Sequence, residues 1–130
     1  MTLQLAVVGA HLSGQPLNHQ LTSLSATLVR TCRTSPHYKL FALPGTTPPK
    51  PGLIRSLTNG SQIEVEIWEM TAESFGRFVA AIPPPLGIGT IDLEDGGQVK
   101  SFLCEGYAVG GATDISHFGG WRAYLASRSA

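Results

Sequence analysis

The sequence predicts an α+β domain in which a small, mixed, mostly antiparallel β-barrel is flanked by helices. Its 130 residues are enough for a real core, and we expect one domain over residues 1–130. Fifteen glycines and nine prolines separate many short apolar or alternating segments, and one later segment has helical spacing. Many short strands joined by tight turns are typical of a closed barrel.

The N-terminal segment predicts a buried strand, a loop and a short helix. Leu3–Val8 is an apolar run that Gly9 ends, as in a strand buried on both faces. Residues 9–18 are rich in Gly and Pro and form the loop. After Pro16, a short helix is indicated by leucines at i, i+4 and i+7, namely Leu17, Leu21 and Leu24.

The next segments predict two strands and a rigid loop. Thr27–Thr34 and Tyr38–Leu43 are rich in residues that favour strands. Residues 44–52 contain four prolines and form neither a helix nor a central strand, because proline lacks the amide donor. We expect them to form a rigid surface loop.

The following segments predict a hairpin and the main helix. Asn59-Gly60 tolerates the positive φ angles of a tight turn, so Leu53–Leu57 and Ile63–Glu69 are predicted to pair as a hairpin. Thr71 is a suitable N-cap for a helix whose apolar residues recur at i, i+3, i+4 and i+7. Pro83 to Pro85 end this helix.

The C-terminal part predicts a second hairpin and a small helix. Ile88–Leu93 and Val99–Cys104 flank a turn over residues 94–97. Asp114 or Ser116 is expected to cap the terminal segment, which has an apolar face.

Composition and charge exclude several classes of partner. Nine basic residues balance nine acidic ones, so no net field attracts nucleic acid or an anionic membrane. The apolar run Leu3–Ala10 is too short to span a bilayer and lacks the basic flank of a signal peptide. Cys32 and Cys104 have neither CxxC spacing nor the density of a disulfide scaffold, so we interpret them as reduced thiols of a cytoplasmic protein.

The sequence contains no motif for a metal or a common cofactor. There is no GxGxxG, no Walker loop and no GxSxG. The four histidines do not pair at metal-ligand spacing, so we expect neither a metal site nor a cofactor; they are His11, His19, His37 and His117.

His11 is the main candidate for chemistry. It follows a buried strand, in a turn between glycines whose backbone N–H groups have no evident partner. Such a junction can bind an anion, and an imidazole there can exchange a proton near neutral pH. The alternative is a histidine that packs the turn. For Asn18, a bond to the loop backbone is favoured over a ligand contact.

The other candidate residues have either a binding role or an ordinary structural one. Lys50 lies in the stiff proline-rich loop, which suits an anion ligand, but it is equally suited to a solvated surface position. Residues 82–89 end a helix and also offer an apolar wall. Glu64 and Glu66 alternate on a strand and are expected at solvent. The arginines Arg30, Arg33 and Arg122 are further candidate cations, for which surface ion pairs are favoured. We interpret Trp68 and Trp121 as core or interface anchors.

Five stretches stand in order, nearly end to end and without a large gap: LAVVGAHLSGQPLNHQL, YKLFALPGTTPPKPGL, IEVEIWEM…FGRFVAAIPPPLGIGTI, FLCEGYA and DISHFGGWRAYLA. Together they resemble the C-terminal domain of allophanate hydrolases. That domain is similar to the γ-glutamylcyclotransferase fold, a small mixed β-barrel with flanking helices. The predicted order of strands and helices fits that fold.

Two departures from the cyclotransferases bear on activity. Their first strand normally ends in Tyr-Gly, where this chain has Val8-Gly9. Their catalytic glutamate usually follows the long helix in a Glu-Gly pair, where this chain has Ile82-Pro83-Pro84. Without that carboxylate no general base is in place, so the resemblance implies the fold but not cyclotransferase activity.

The resemblance implies a role in urea degradation through allophanate. In that family an amidase domain with a Ser-Ser-Lys site removes ammonia from allophanate, and the C-terminal domain decarboxylates the N-carboxycarbamate product. This chain has no glycine- and serine-rich amidase signature. We expect an excised domain or a stand-alone relative, with an amidase domain or subunit as its partner.

Decarboxylation of this small dianion requires donors for a carboxylate, a general acid and an apolar environment for the departing group. We assign His11 as the acid. Backbone N–H groups of the first loop, a cation and an apolar wall complete the predicted substrate site: Gly9, Ala10, Leu12, Asn18, Lys50 and Leu86.

The alternative is a non-catalytic module that binds or assembles an amidase partner, or pairs with a second copy through exposed Trp and Phe side chains. A third interpretation is a sensor that binds a small ligand without turnover. A sensor would bind the ligand without accelerating any reaction of it, which distinguishes the sensor from the enzyme.

Overall fold

The computed structural model describes residues 1–129 as an α+β domain. The strands are β1 (Thr2–Val7), β2 (Thr27–Arg33), β3 (Tyr38–Ala42), β4 (Pro51–Arg55), β5 (Glu64–Thr71), β6 (Leu86–Asp92), β7 (Gln98–Cys104) and β8 (Thr113–Asp114). The helices are α1 (His19–Thr22), α2 (Ala72–Ala80) and α3 (Trp121–Ser129), with single 3-10 turns at Gly106–Ala108 and Ser116–Phe118.

The strands form two sheets. The larger sheet has the order β2-β5-β1-β7-β6, in which β1 and β7 run parallel and the other neighbours are antiparallel. The smaller sheet has the order β4-β3-β8 and is antiparallel. A mixed, mostly antiparallel α+β fold is therefore confirmed.

The two edges of the larger sheet meet at one end only. An isolated antiparallel bridge joins Thr34, just after β2, to Leu93, just after β6. Beside it, the Ser35 N–H donates to the Asp92 carbonyl at 2.9 Å. Within residues 1–129 the strand pairings form two sheets and not one closed ring, so the predicted closure of a barrel is not confirmed.

The predicted hairpin between Leu53–Leu57 and Ile63–Glu69 is wrong. Asn59 has the positive φ that its turn requires, at 55°, but β4 pairs with β3 and β5 lies between β1 and β2. The turn is held by the Ser61 N–H, which donates to the Tyr38 carbonyl at 2.7 Å. A turn motif reports that the chain reverses, while the partner of each strand depends on which sheet buries its apolar side chains.

The proline-rich segment is shorter than predicted, because Pro51 and Gly52 begin β4. Proline is tolerated at the first residue of a strand, and β4 is an edge strand with a free side. The capping prediction for the main helix is confirmed. The Thr71 hydroxyl accepts a hydrogen bond from the Ser74 N–H at 3.1 Å at the start of α2.

The core lies between the sheets and the helices. In β1 the buried residues are confined to the second half. Both tryptophans are buried, with Trp68 5% and Trp121 3% exposed, so they are core residues and the expected exposed Trp face for pairing is wrong. None of the helices within residues 1–129 has the length and apolarity needed to cross a membrane. The largest fully buried side chains come from both sheets and the loops: Leu5, Leu12, Tyr38, Leu40, Leu53, Ile63, Ile67, Ile91 and Ile115.

Candidate functional site

A cavity of about 500 Å³ opens beside the loop that follows β1. It lies between this loop, α1, the loop before β4, α2 and the entrance to β6. His11, Lys50 and Leu86, all named from the sequence, are among its lining residues. The others are Leu17, Gln20, Ser23, Leu24, Thr47, Pro48, Arg77, Phe78, Ala81, Ile82, Pro83 and Phe102.

A close backbone approach explains why Lys50 lies near His11. Gly9 packs directly on the ring of Pro51, and a Cβ on Gly9 would overlap the ring carbons. This contact presses the end of β1 against the start of β4. It leaves only a void of about 10 Å³, which Gly9, Ala10, His11 and Lys50 share with their neighbours. The predicted residue Gly9 therefore shapes the site through its lack of a side chain.

His11 is held in the cavity wall by two aromatic rings. Its imidazole is stacked on Phe102, with ring centroids 5.0 Å apart and planes inclined by 22°. The Phe78 ring meets it edge-on at 5.2 Å. The residue is 8% exposed, and its Nε2 lies 2.7 Å from Oε1 of Gln20. The ring is thus fixed in plane and in direction.

Burial lowers the pKa of His11 below its usual 6.5, because the charged ring loses its hydration. The hydrogen bond with Gln20 acts in the opposite direction, and the positive charges of Lys50 and His19 lower the pKa further. The lowered pKa therefore favours the neutral ring at neutral pH in the free protein. An anion in the cavity would favour the imidazolium.

The remaining predicted residues have mixed positions. The Asn18 side chain donates to the His11 carbonyl at 2.9 Å, so it holds the loop, which is the role favoured from the sequence. The Leu12 N–H already donates to the Gly9 carbonyl at 3.0 Å, and its side chain is fully buried in the core. Leu12 therefore has no free donor for a ligand. Within residues 1–129 the N–H groups of Ala10 and His11 donate no hydrogen bond.

The expectation that Glu66 meets solvent is wrong, because this residue is 2% exposed. Its carboxylate accepts hydrogen bonds from Ser13 N at 2.8 Å and Ser13 Oγ at 2.6 Å. It also accepts from Trp68 Nε1 at 3.1 Å and from Arg122 Nη2 at 2.7 Å. Four donors replace the water that burial removes, which a buried carboxylate requires.

Arg122 joins this carboxylate to the loop of His11. Besides Glu66, its guanidinium donates to the Ser13 carbonyl at 2.8 Å and to Glu64 Oε1 at 3.1 Å. Burial by itself raises the pKa of Glu66, but the bonds from Ser13, Arg122 and Trp68 outweigh it and hold that pKa below its usual value. The predicted ion pair of Arg122 is present, and its main partner is buried.

Four cavity residues with amide, aromatic or guanidinium side chains are not among the predicted site residues. Gln20 lies in the short leucine-spaced helix, where nothing in the pattern distinguishes it from a surface residue. Phe102 and Phe78 were predicted only as parts of a strand and a helix. Arg77 reaches the cavity from α2 while paired with Glu73 at 3.3 Å, an i,i+4 pair typical of a helix surface.

Arg30 and the two cysteines lie outside this cavity. Arg30 pairs with Asp95 at 3.3 Å, and Cys32 and Cys104 are free thiols. In the part of the chain that the structure describes, no three His, Cys, Asp or Glu side chains come together to hold a metal ion.

Comparison with known proteins agrees with the resemblance. The family model described as the allophanate hydrolase C-terminal domain matches residues 3–126. The chain is 51% identical over 128 residues to urea amidolyase of Saccharomyces cerevisiae, covering 95% of this chain and 7% of that protein. A solved allophanate hydrolase of Kluyveromyces lactis is 45% identical with a TM-score of 0.94, over 98% of this chain and 22% of that one. The chain therefore spans only a small part of these relatives.

A more distant likeness concerns the fold alone. A solved γ-glutamyl cyclotransferase superposes with a TM-score of 0.60 at 12% identity, over 88% of this chain and 70% of that one. The predicted similarity to the cyclotransferase fold is confirmed at this level.

Proposed function

Because the chain belongs to the family of allophanate hydrolase C-terminal domains, we propose that it acts in urea degradation and decarboxylates N-carboxycarbamate supplied by an amidase. The observation that carries the proposal is the buried imidazole of His11 in the wall of a cavity that Lys50 also lines. A proton-exchanging group beside a cation is what the loss of carbon dioxide from a dianion needs.

The reaction breaks one C–N bond and forms one N–H bond. N-carboxycarbamate carries two carboxylates on one nitrogen. As carbon dioxide leaves, the bonding electron pair stays on that nitrogen and takes up a proton, which leaves carbamate with a single negative charge. The barrier falls when a proton donor stands ready at the nitrogen and when the surroundings of the departing group are apolar.

Each part of the site has one task in this reaction. Lys50 and the N–H group of His11, both from residues that line the large cavity, bind the carboxylate that remains. Ala10 borders only the void of about 10 Å³, which is too small for a carboxylate. Leu86 and Phe102 form the apolar wall beside the carboxylate that leaves. Since the ring of His11 starts neutral, the dianion itself draws a proton onto it, and His11 then passes that proton to the nitrogen.

The test is carbon dioxide release from freshly generated N-carboxycarbamate, produced by a separate amidase, with and without this protein. We expect a clear acceleration that His11→Asn abolishes, because asparagine keeps polarity but cannot exchange the proton. His37→Asn is the matched control, since His37 is exposed and is not among the cavity residues. Unaltered release in the presence of the His11 variant contradicts the proposal.

A second candidate is a binding or assembly module for an amidase domain or subunit. The observation that favours it is that the chain corresponds to 7% of a much longer urea amidolyase. This candidate predicts no acceleration, together with co-purification of an amidase or of a second copy of the chain.

The remaining parts of the proposal concern partners and location. The ligand is a small anion, with no cofactor, nucleic acid or membrane required. A cytoplasmic location accords with Cys32 and Cys104, which are both free thiols.

A further inference from the structure

His11 presents its two ring nitrogens to different surroundings. Nε2 lies 2.7 Å from Oε1 of Gln20. Nδ1 forms no hydrogen bond with any residue from 1 to 129. It is also not completely buried, since the only unpartnered side-chain nitrogen or oxygen without solvent contact in this range is Oγ of Ser35. Nε2 is therefore hydrogen-bonded, whereas Nδ1 has no hydrogen-bond partner within residues 1–129.

The partner of Nε2 determines where the proton of the neutral ring resides. An amide oxygen accepts hydrogen bonds and donates none, so the 2.7 Å contact requires a proton on Nε2. The neutral ring then carries its lone pair on Nδ1. The Phe102 and Phe78 rings hold the imidazole on two sides, which prevents it from exchanging the two nitrogens by turning.

We propose that Gln20 is a positioning residue, which keeps the proton of neutral His11 on Nε2 and so makes Nδ1 the atom that exchanges a proton with the ligand. The catalytic role of Nδ1 rests on the proposed function. The tautomer itself is a property of the free protein and is measurable without any substrate.

The charges around the ring decide when Nδ1 is protonated. Lys50 from the loop before β4 and His19 from α1 both disfavour the imidazolium. Arg77 lines the same cavity from α2 and adds positive charge. In the free protein Nδ1 is therefore a bare acceptor. When a dianion offsets these cations, Nδ1 takes a proton from water and delivers it to the substrate nitrogen, while the other proton stays on Nε2 in its hydrogen bond to Gln20.

The first test is nitrogen NMR of His11 across a pH titration. We expect the neutral ring to show a protonated Nε2 and an unprotonated Nδ1. Gln20→Leu removes the acceptor and should give a mixture of both tautomers. Gln20→Glu places a carboxylate at the same position and should raise the pKa of His11. Gln20 is exposed, so neither variant is expected to disturb folding.

The matched control is Gln4→Glu, which adds the same charge on an exposed residue of β1 that is not among the cavity residues. It should leave the titration of His11 unchanged. A protonated Nδ1 in the neutral ring of the unaltered protein would overturn the proposal. So would a shift with Gln20→Glu that is no larger than the shift with Gln4→Glu.

The second test separates this inference from the proposed function. With N-carboxycarbamate, Gln20→Leu should lower kcat about tenfold at little change in KM, a part of the hundredfold or more that a placed acid contributes. Gln20→Glu should extend activity to higher pH, because His11 then stays protonated there. If the tautomer is as expected but no variant shows turnover, the positioning role of Gln20 stands and the decarboxylase proposal fails.

Discussion

The loop over residues 9–18 has a buried ionisable group on each of its two sides, and the two groups differ in how many hydrogen bonds they form. On one side, His11 lines the cavity and has a single side-chain partner at its ring, which leaves Nδ1 without a hydrogen bond within residues 1–129. On the other side, the carboxylate of Glu66 is surrounded by four donors and is not among the residues that line this cavity. The two groups are connected by the short stretch of backbone from His11 to Ser13.

This difference separates a structural group from one available for chemistry. A buried charge whose acceptors are all occupied stabilises one arrangement of the chain and has nothing left for a ligand. A buried ring with a free nitrogen costs stability and keeps a reactive atom available. The fully bonded side thus holds the loop in place so that the open side can be used.

Arg122→Ala tests the bonded side and should have the largest effect on stability. It removes the cation that pairs with Glu66 and leaves a buried carboxylate with fewer donors, at a cost of about 3 kcal/mol in the free energy of unfolding. Urea unfolding measures this. Arg128→Ala on the same helix is the control, and its exposed side chain should make it nearly neutral. Equal losses in both variants would contradict a structural role for the Glu66 contacts.

Gly9→Ala tests the packing that both sides of the loop share. The added methyl group overlaps the Pro51 ring, and overpacking of this kind costs about 2 kcal/mol. Because β1 and β4 must move apart, Lys50 should also move away from His11 and weaken dianion binding. Gly87→Ala provides the comparison, since a Cβ on Gly87 meets nothing within 4 Å. The prediction fails if thermal unfolding cannot distinguish the two variants.

Asn18→Ala sharpens the contrast at the open side. It removes the hydrogen bond to the His11 carbonyl, which is worth about 1 kcal/mol, and should loosen His11 without touching Glu66. Hydrogen exchange of the loop amides should therefore speed up near His11 more than near Ser13. Gln15→Ala in the same loop is the reference, because within residues 1–129 its side chain makes no hydrogen bond. Uniform acceleration along the loop would argue against two separable sides.

His11 and Glu66 are also expected to change the free energy of unfolding over different ranges of pH. The lowered pKa of His11 means that the unfolded chain takes up a proton more readily, so stability falls as pH drops below about 6.5. The lowered pKa of Glu66 gives a contribution that is present above about 4.5 and is lost as pH falls further. Urea unfolding across the acid range should show that His11→Asn removes the upper step and Glu66→Gln the lower one. A single step unaffected by either variant would be inconsistent with this assignment.

The elements along the chain are predictable from the sequence because their signals are local. The Thr71 cap, the prolines after α2 and the apolar run of β1 each act on neighbouring residues. The same locality allowed His11 to be singled out, since it directly follows a buried strand. The pairing of β4 with β3 was not predictable in this way, because the Asn59-Gly60 turn reports a reversal and not a partner.

The polar contacts around the site are not predictable from the sequence for a related reason. Glu66 alternates with apolar residues as a solvent-facing side chain would, and its burial depends on Arg122, 56 residues further along. Gln20 has the pattern of a surface residue in its helix, and only the 2.7 Å contact with His11 identifies it as part of the site. Long-range partners of this kind leave no periodic trace in the sequence.

The span between Ser13 and Arg122 has a consequence for the order of events during synthesis. These residues are 109 positions apart, so a growing chain acquires the cation for Glu66 only after nearly all of the domain has left the ribosome. Contacts between such distant residues form late, since the intervening chain must already be compact. The loop of His11 is therefore expected to become rigid among the last parts of the domain, after the sheets beneath it have assembled.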